Sequence, residues 1–142
     1  MTYAPARAAT AYGRAAQTIP PVRQVVMLYD GALGRLREAR QAIADGRIED
    51  RFRAVQKASA IIDGLHACLD FERGGEIAPL LDRMYGYVGL RLQQINIRND
   101  PGICDELIAC LDQLRSAWHA LAEGGAALFP GPTSIENTSA AA

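Results

Sequence analysis

The chain has 142 residues, a formal net charge of −1 and a pI near 6.1, with hydrophobic residues at 49% and charged residues at 22%. Those values fit one soluble globular domain that can bury about two thirds of its unfolded surface without a disulfide or metal. They give no electrostatic case for nucleic acid, because a binding domain ordinarily carries a basic patch and a high pI.

Residues 1 to 19 read as a flexible N-terminal arm, Ala-rich with Arg7 and Arg14, and with a short helix expected around Ala4 to Ala16. The arm has no apolar run of the kind a secretory signal needs. The first predicted helix spans Pro21 to Ala44. Pro21 suits the first helical position, where its missing donor is not required. Val22, Val25, Val26, Tyr29, Leu33, Leu36 and Ile43 make one stripe. Met27 and Leu28 fall off that stripe by more than about 120° at ~100° per residue. Asp45-Gly46 breaks the helix.

A second helix is predicted from Ile48 to Leu69, with Phe52, Val55, Ala58, Ile62, Leu65 and Leu69 inward. The arginines Arg35, Arg37, Arg40, Arg47, Arg51 and Arg53 alternate with acids and read as a solvated face. Gly74-Gly75 cannot sit comfortably inside a helix, so a turn is expected there. The third helix runs from Gly75 or Glu76 to Arg98, with Pro79 tolerated in its first turn. Asp100 is a suitable N-cap and Pro101 a suitable first residue for the fourth. Asp105 and Glu106 are placed to complement its dipole. Ile103, Leu107, Cys110, Leu111, Leu114, Trp118 and Leu121 form its stripe, and Gly124-Gly125 ends it. Residues 124 to 142 read as a disordered tail.

Short connections make successive helices antiparallel neighbours. The expected fold is therefore all-α: an antiparallel up-down-up-down four-helix bundle over residues 20 to 123, between the N-terminal arm and the C-terminal tail. Helices of this length give a body of roughly 30–35 Å. No run approaches 18 apolar residues, so no membrane span is expected.

The chemistry of catalysis is sparse. His66 and His119 are the two histidines, each beside a large apolar neighbour on a helix, and neither belongs to a Glu-x-x-His pair. No phosphate-binding loop, nucleophile elbow or zinc-protease motif occurs. The cysteines Cys68, Cys104 and Cys110 form no C-x-x-C and read as reduced thiols. No catalytic residue, metal ligand or cofactor is assigned, and the chain does not read as an enzyme.

One feature exceeds what a small bundle needs. On the third helix Ile77, Leu81, Met84, Val88, Leu92 and Ile95 form a core stripe, and Leu80, Tyr87 and Leu90, with Ile97 at the edge, form a second row. Together they wrap roughly 200° of the cylinder, about twice the arc that faces a core. Either the helix is unusually central or part of that surface is kept for another chain.

A set of motifs bears on that choice. Pro21 followed by Leu28-Tyr29-Asp30-Gly31-Ala32-Leu33 resembles the opening helix of the flagellin-specific secretion chaperones, the FliS family. Leu69-Asp70, Gly74-Gly75-Glu76-Ile77-Ala78, Tyr85-Gly86-Tyr87, Arg91-Leu92, Asn99-Asp100 and Leu114-Arg115-x-Ala117-Trp118 follow in register, so the resemblance covers about residues 12 to 119. Where members usually start the first helix with Ser-Pro or Thr-Pro, this chain has Pro20-Pro21 and lacks the side-chain cap.

The resemblance implies a cytoplasmic export chaperone that holds the disordered C-terminal segment of flagellin in hydrophobic grooves. It would prevent premature polymerisation and assist delivery to the flagellar type III export apparatus. Ala11-Tyr12 is similar to an arm motif that covers the groove when the client is absent, a lid acting at high effective concentration. Helical angle then places the contact surface on Tyr12, Met27, Leu28, Leu80, Tyr87 and Leu90, with Tyr29 and Leu33 as floor residues. The alternative is a helical adaptor that uses the same groove for another flagellar regulator or for a second copy of itself; export-gate components are a further expected partner.

Overall fold

The computed structural model describes residues 21–124. Four helices account for most of them: α1 (Pro21–Ala44), α2 (Ile48–Ala67), α3 (Ile77–Arg98) and α4 (Pro101–Ala122). No strand occurs among the described residues, and the fold class is the expected all-α four-helix bundle. The expectations for the arm, including Tyr12, and for the tail lie outside the described residues.

Each boundary has a local cause. Past α1, the Gly46 N–H bonds the Ile43 carbonyl at 3.2 Å and the Arg47 N–H bonds the Ala42 carbonyl at 2.8 Å. This is the paired closure that needs a left-handed residue, and Gly46 supplies it at φ 71°. α2 ends at Ala67, two residues before the expected Leu69, because the chain turns into a side-chain-supported loop. There Asp70 Oδ1 accepts the N–H groups of Glu72 at 3.0 Å and Arg73 at 3.1 Å. α3 closes on Asn99 at φ 50°, ψ 43°, with its N–H on the Ile95 carbonyl at 2.8 Å. Asp100 then accepts the Gly102 N–H at 2.8 Å, the expected cap of α4.

Gly74 is fixed by space. A Cβ built there would lie 2.7 Å from the Asp70 carbonyl oxygen and 2.8 Å from the Ala78 Cβ. The Gly74 N–H also bonds that Asp70 carbonyl at 2.8 Å, so the backbone cannot withdraw without breaking the turn. Gly74→Ala is expected to cost about 1–3 kcal/mol, the range of backbone-strain substitutions. Thermal denaturation followed by circular dichroism checks it, and an unchanged midpoint would contradict this account of the turn.

The described residues fall in two compact units, Met27–Leu114 and, among the rest, 21–26 with 115–124. Within Met27–Leu114, polar pairs set the direction of each helix. α2 runs against α3, since Arg51 reaches Asn96 and Asn99, Ser59 accepts from Gln93, and His66 bonds Asp82. α3 runs against α4, since Arg91 meets Glu106 and Met84 meets Cys110. Arg40 of α1 grips Asp105 of α4 at 2.5 Å and 3.2 Å. Asp105 and Glu106 lie past the first turn of α4 and serve cross-helix pairs in place of the dipole role expected of them. In the second unit Arg23 and Glu123 approach to 3.4 Å.

The interior holds Leu36 of α1, Val55 and Ile62 of α2, Val88, Leu92 and Ile95 of α3, and Leu107 and Leu111 of α4, all at 1% exposure or less. Alanines at 32, 39, 42, 54, 58 and 78 are buried among them and keep the helices close. Three expectations need correction. Phe52, expected inward, is 53% exposed, because Ala54, Val55, Ala58, Ile62 and Leu65 centre the buried face of α2 about 100° away from it. Arg51, expected on a solvated face, is buried and bonds Asn96 at 3.2 Å and Asn99 at 2.6 Å. Leu69 is half-buried but lies beyond the helix.

Candidate docking face

α3 presents two faces with different chemistry. Leu81, Tyr85, Val88, Leu92 and Ile95 are buried. Leu80, Tyr87, Leu90 and Ile97 remain 48%, 48%, 61% and 78% exposed. Their spacings of seven, three and seven residues keep all four within an arc of roughly 100°. A row of large apolar groups left in water along one helix marks an interaction surface more than an isolated leucine does.

Of the residues assigned to partner contact from the sequence, the structure brings Leu80, Tyr87 and Leu90 together on this row. Met27 is also open, at 59% exposure, but it belongs to α1, as does the half-buried Leu28. Tyr29 and Leu33, expected as floor residues, are 0% and 2% exposed. The Tyr29 hydroxyl meets the Tyr85 hydroxyl at 2.7 Å inside the bundle. A docking chain has no access to either residue while the helices stay packed, so both support the scaffold rather than line a groove.

The edge of the row toward α4 is polar and organised. The Tyr87 hydroxyl donates to Glu106 Oε2. Arg91 holds the same carboxylate with both arms of its guanidinium, Nη2 to Oε1 at 2.6 Å and Nε to Oε2 at 3.2 Å. Arg91, and secondarily the Tyr87 hydroxyl, hold Glu106 below the usual carboxylate range. The bond to Glu106 in turn raises Tyr87 above the ordinary phenol. Nothing in the local sequence links Tyr87 to Glu106. A seven-residue step from Leu80 to Tyr87 and from Leu90 to Ile97 was the signal available for the row itself.

Other titratable groups form no catalytic arrangement among the described residues. His66 Nε2 lies 2.6 Å from Asp82 Oδ1, and its ring sits 5.9 Å from that of Tyr85, tilted by 54°. His119 lies 4.0 Å from Glu123, one turn along α4. A cavity of about 400 Å³ between α1 and α2 is lined by Arg35, Glu38, Gln41, Arg47, Asp50, Arg53, Ala54 and Lys57, and it contains neither a histidine nor a nucleophile. No cluster of His, Cys, Asp and Glu suited to a metal ion occurs among the described residues. No described helix is long and apolar enough to cross a membrane.

The cysteines differ sharply in environment. Cys68 is exposed, whereas burial pushes the Cys104 thiol up to about 11 and raises Cys110 as well. Thiolate is the reactive form. With Ellman's reagent at pH 8, Cys68 is expected to react rapidly in the native protein, and Cys104 only after denaturant is added. Rapid reaction of all three in the native state would contradict the packing described.

Comparison with known proteins places the chain. The family described as "Flagellar protein FliS" matches residues 4–125. The chain is 41% identical over 101 residues to "Flagellar secretion chaperone FliSB" of Pseudomonas aeruginosa, covering 71% of this chain and 80% of that protein. It is 40% identical over 105 residues to "Flagellar secretion chaperone FliS" of Salmonella typhimurium, covering 73% and 78% respectively. The Vibrio cholerae protein of the same name is 37% identical over 98 residues, 69% of this chain and 72% of its own length.

Proposed function

Because this chain belongs to the FliS family, we propose that it is a flagellar secretion chaperone that holds the disordered C-terminal region of flagellin in the cytoplasm. Holding that segment keeps flagellin from polymerising early and delivers it to the flagellar type III export apparatus. The observation that carries this reading is the exposed row Leu80, Tyr87, Leu90 and Ile97 on α3. A chain whose interior is already filled by other residues does not need those four in the open.

The chemistry of the task fits a binding protein rather than an enzyme. A segment that is disordered alone must be ordered on capture, at a cost of several kcal/mol. The contact must therefore be extensive, on the order of 2,000 Å² or more in total. The α3 row runs seventeen steps along the helix from Leu80 to Ile97, roughly 25 Å at 1.5 Å per residue, enough for a long apolar contact. Met27 is a separate exposed apolar side chain, on α1.

The direct test is calorimetric titration of the chain with a synthetic peptide covering the C-terminal segment of flagellin. Binding with a negative heat-capacity change is the expected result, because apolar surface is buried. Absence of heat, together with no co-elution on gel filtration, would remove the flagellin reading. A shift to a dimer on the column without peptide would favour self-association on the same row.

A further inference from the structure

Tyr87 differs from the other exposed apolar side chains of α3 in being fastened at its far end. Its hydroxyl donates to Glu106 of α4. Glu106 is itself gripped by the two arms of Arg91, and the remaining amino group of Arg91 bonds Gln94. Leu80, Leu90 and Ile97 have no polar atom that could be held this way. An exposed aromatic side chain on a helix ordinarily exchanges between rotamers. A ring tied to a carboxylate that is clamped in two places gives up part of that freedom.

The arrangement also keeps the ring available. Tyr87 remains 48% exposed, level with Leu80 one heptad away, so the tether does not draw it into the interior. On the same two helices, the Cys110 thiol lies against the Met84 sulfur at 3.4 Å, and both residues are half-buried. Tyr87 therefore keeps an open ring with its polar end already satisfied. A docking apolar segment can cover the ring without leaving its hydroxyl unpaired, which would otherwise oppose binding.

We propose that Glu106 and Arg91 are positioning residues for client docking, holding the Tyr87 ring in the pose in which it meets the flagellin segment. This rests on the docking reading above. Immobilising a side chain at an interface ordinarily weakens association, and a side chain ordered beforehand avoids that loss. The benefit for one aromatic side chain is about two- to tenfold in affinity.

The experiment compares the full chain with Tyr87→Phe, Glu106→Gln and the double variant, titrated with the synthetic flagellin C-terminal peptide. Tyr87→Phe keeps the ring and removes only the tether. Each single variant is expected to bind about two- to tenfold more weakly, and the double no more weakly than the worse single, because one device is removed twice. In parallel, ¹³Cζ-tyrosine NMR titration reads the tether itself. Tyr87 is expected to ionise above the ordinary phenol range in the parent chain and to return toward it in Glu106→Gln. A staple between helices with no docking role would show that spectroscopic change with unaltered peptide affinity. Unaltered affinity in Tyr87→Phe and Glu106→Gln, with the parent chain binding normally, overturns the positioning role and leaves the docking reading intact. A parent chain that binds no peptide overturns the docking reading instead.

Discussion

Leu80→Asp combined with Leu90→Asp is expected to weaken binding of the flagellin C-terminal peptide at least about a hundredfold while leaving the fold intact. The two leucines are 48% and 61% exposed, so they contribute little to the interior of the free chain. Burying a leucine beneath a partner is worth about 1.5–3 kcal/mol, and a carboxylate in its place must be desolvated as well. Two such changes exceed the 2.7 kcal/mol or so that a hundredfold requires. Far-UV circular dichroism and thermal midpoint should stay near those of the parent, since surface substitutions usually shift stability by no more than about 0.5 kcal/mol. The opposite result is informative too. A double variant that unfolds would mean the row is part of the scaffold, and one that binds normally would move the docking site elsewhere.

The second large effect concerns stability. Tyr29→Ala is expected to destabilise the bundle by about 3–5 kcal/mol, the range for removing a buried aromatic side chain. Tyr29 has 0% exposure, and its hydroxyl is paired with that of Tyr85 at 2.7 Å. Removing it opens a cavity and leaves the Tyr85 hydroxyl without that partner inside the bundle. Tyr29→Phe separates these effects. The ring stays packed and only the hydrogen bond goes, at about 1–3 kcal/mol for an orphaned buried group. Replacing both tyrosines by phenylalanine should recover part of that loss, since no polar atom of the pair is then stranded. Denaturant unfolding of the four chains checks the order. If Tyr29→Ala were as stable as the parent but failed to bind peptide, Tyr29 would be a contact residue after all.

These two predictions rest on residues that helical angle alone could not separate. Tyr29 and Leu33 on α1 were candidates for a groove floor because helical angle puts them on the apolar stripe of that helix. The structure buries them because α3 brings Tyr85 to the same interior. Tyr85 itself lies at the edge of the stripe read from Leu81, Val88 and Leu92, and its burial depends on the partner hydroxyl from α1. Phe52 shows the reverse. It satisfies a helical spacing with Val55 and Ile62, yet the small residues Ala54 and Ala58 turn the buried face away from it. Alanines carry little weight in a hydrophobic pattern but decide where helices come closest.

Arg51 and the Tyr87–Glu106–Arg91 group illustrate a second limit. Arg51 belongs to an alternating charged run that ordinarily faces water. It is buried because Asn96 and Asn99, at the end of α3, offer it two acceptor oxygens. Glu106 is nineteen residues from Tyr87, so no local rule pairs them.

What the sequence determined by itself is the set of helices and their punctuation. Gly46, Gly74, Asn99, Asp100 and Pro101 act through backbone angles and hydrogen bonds a few residues away, and so their roles can be read locally. The excess of apolar surface on α3 was legible for the same reason, since it follows from the ~100° turn between neighbours on one helix. The tertiary structure alone decided which arc of each helix faces inward, which tyrosine is scaffold and which is surface, and which carboxylate holds Tyr87. Those outcomes depend on groups brought together from different helices, and periodicity along one helix fixes the angle of a side chain without fixing what stands opposite it.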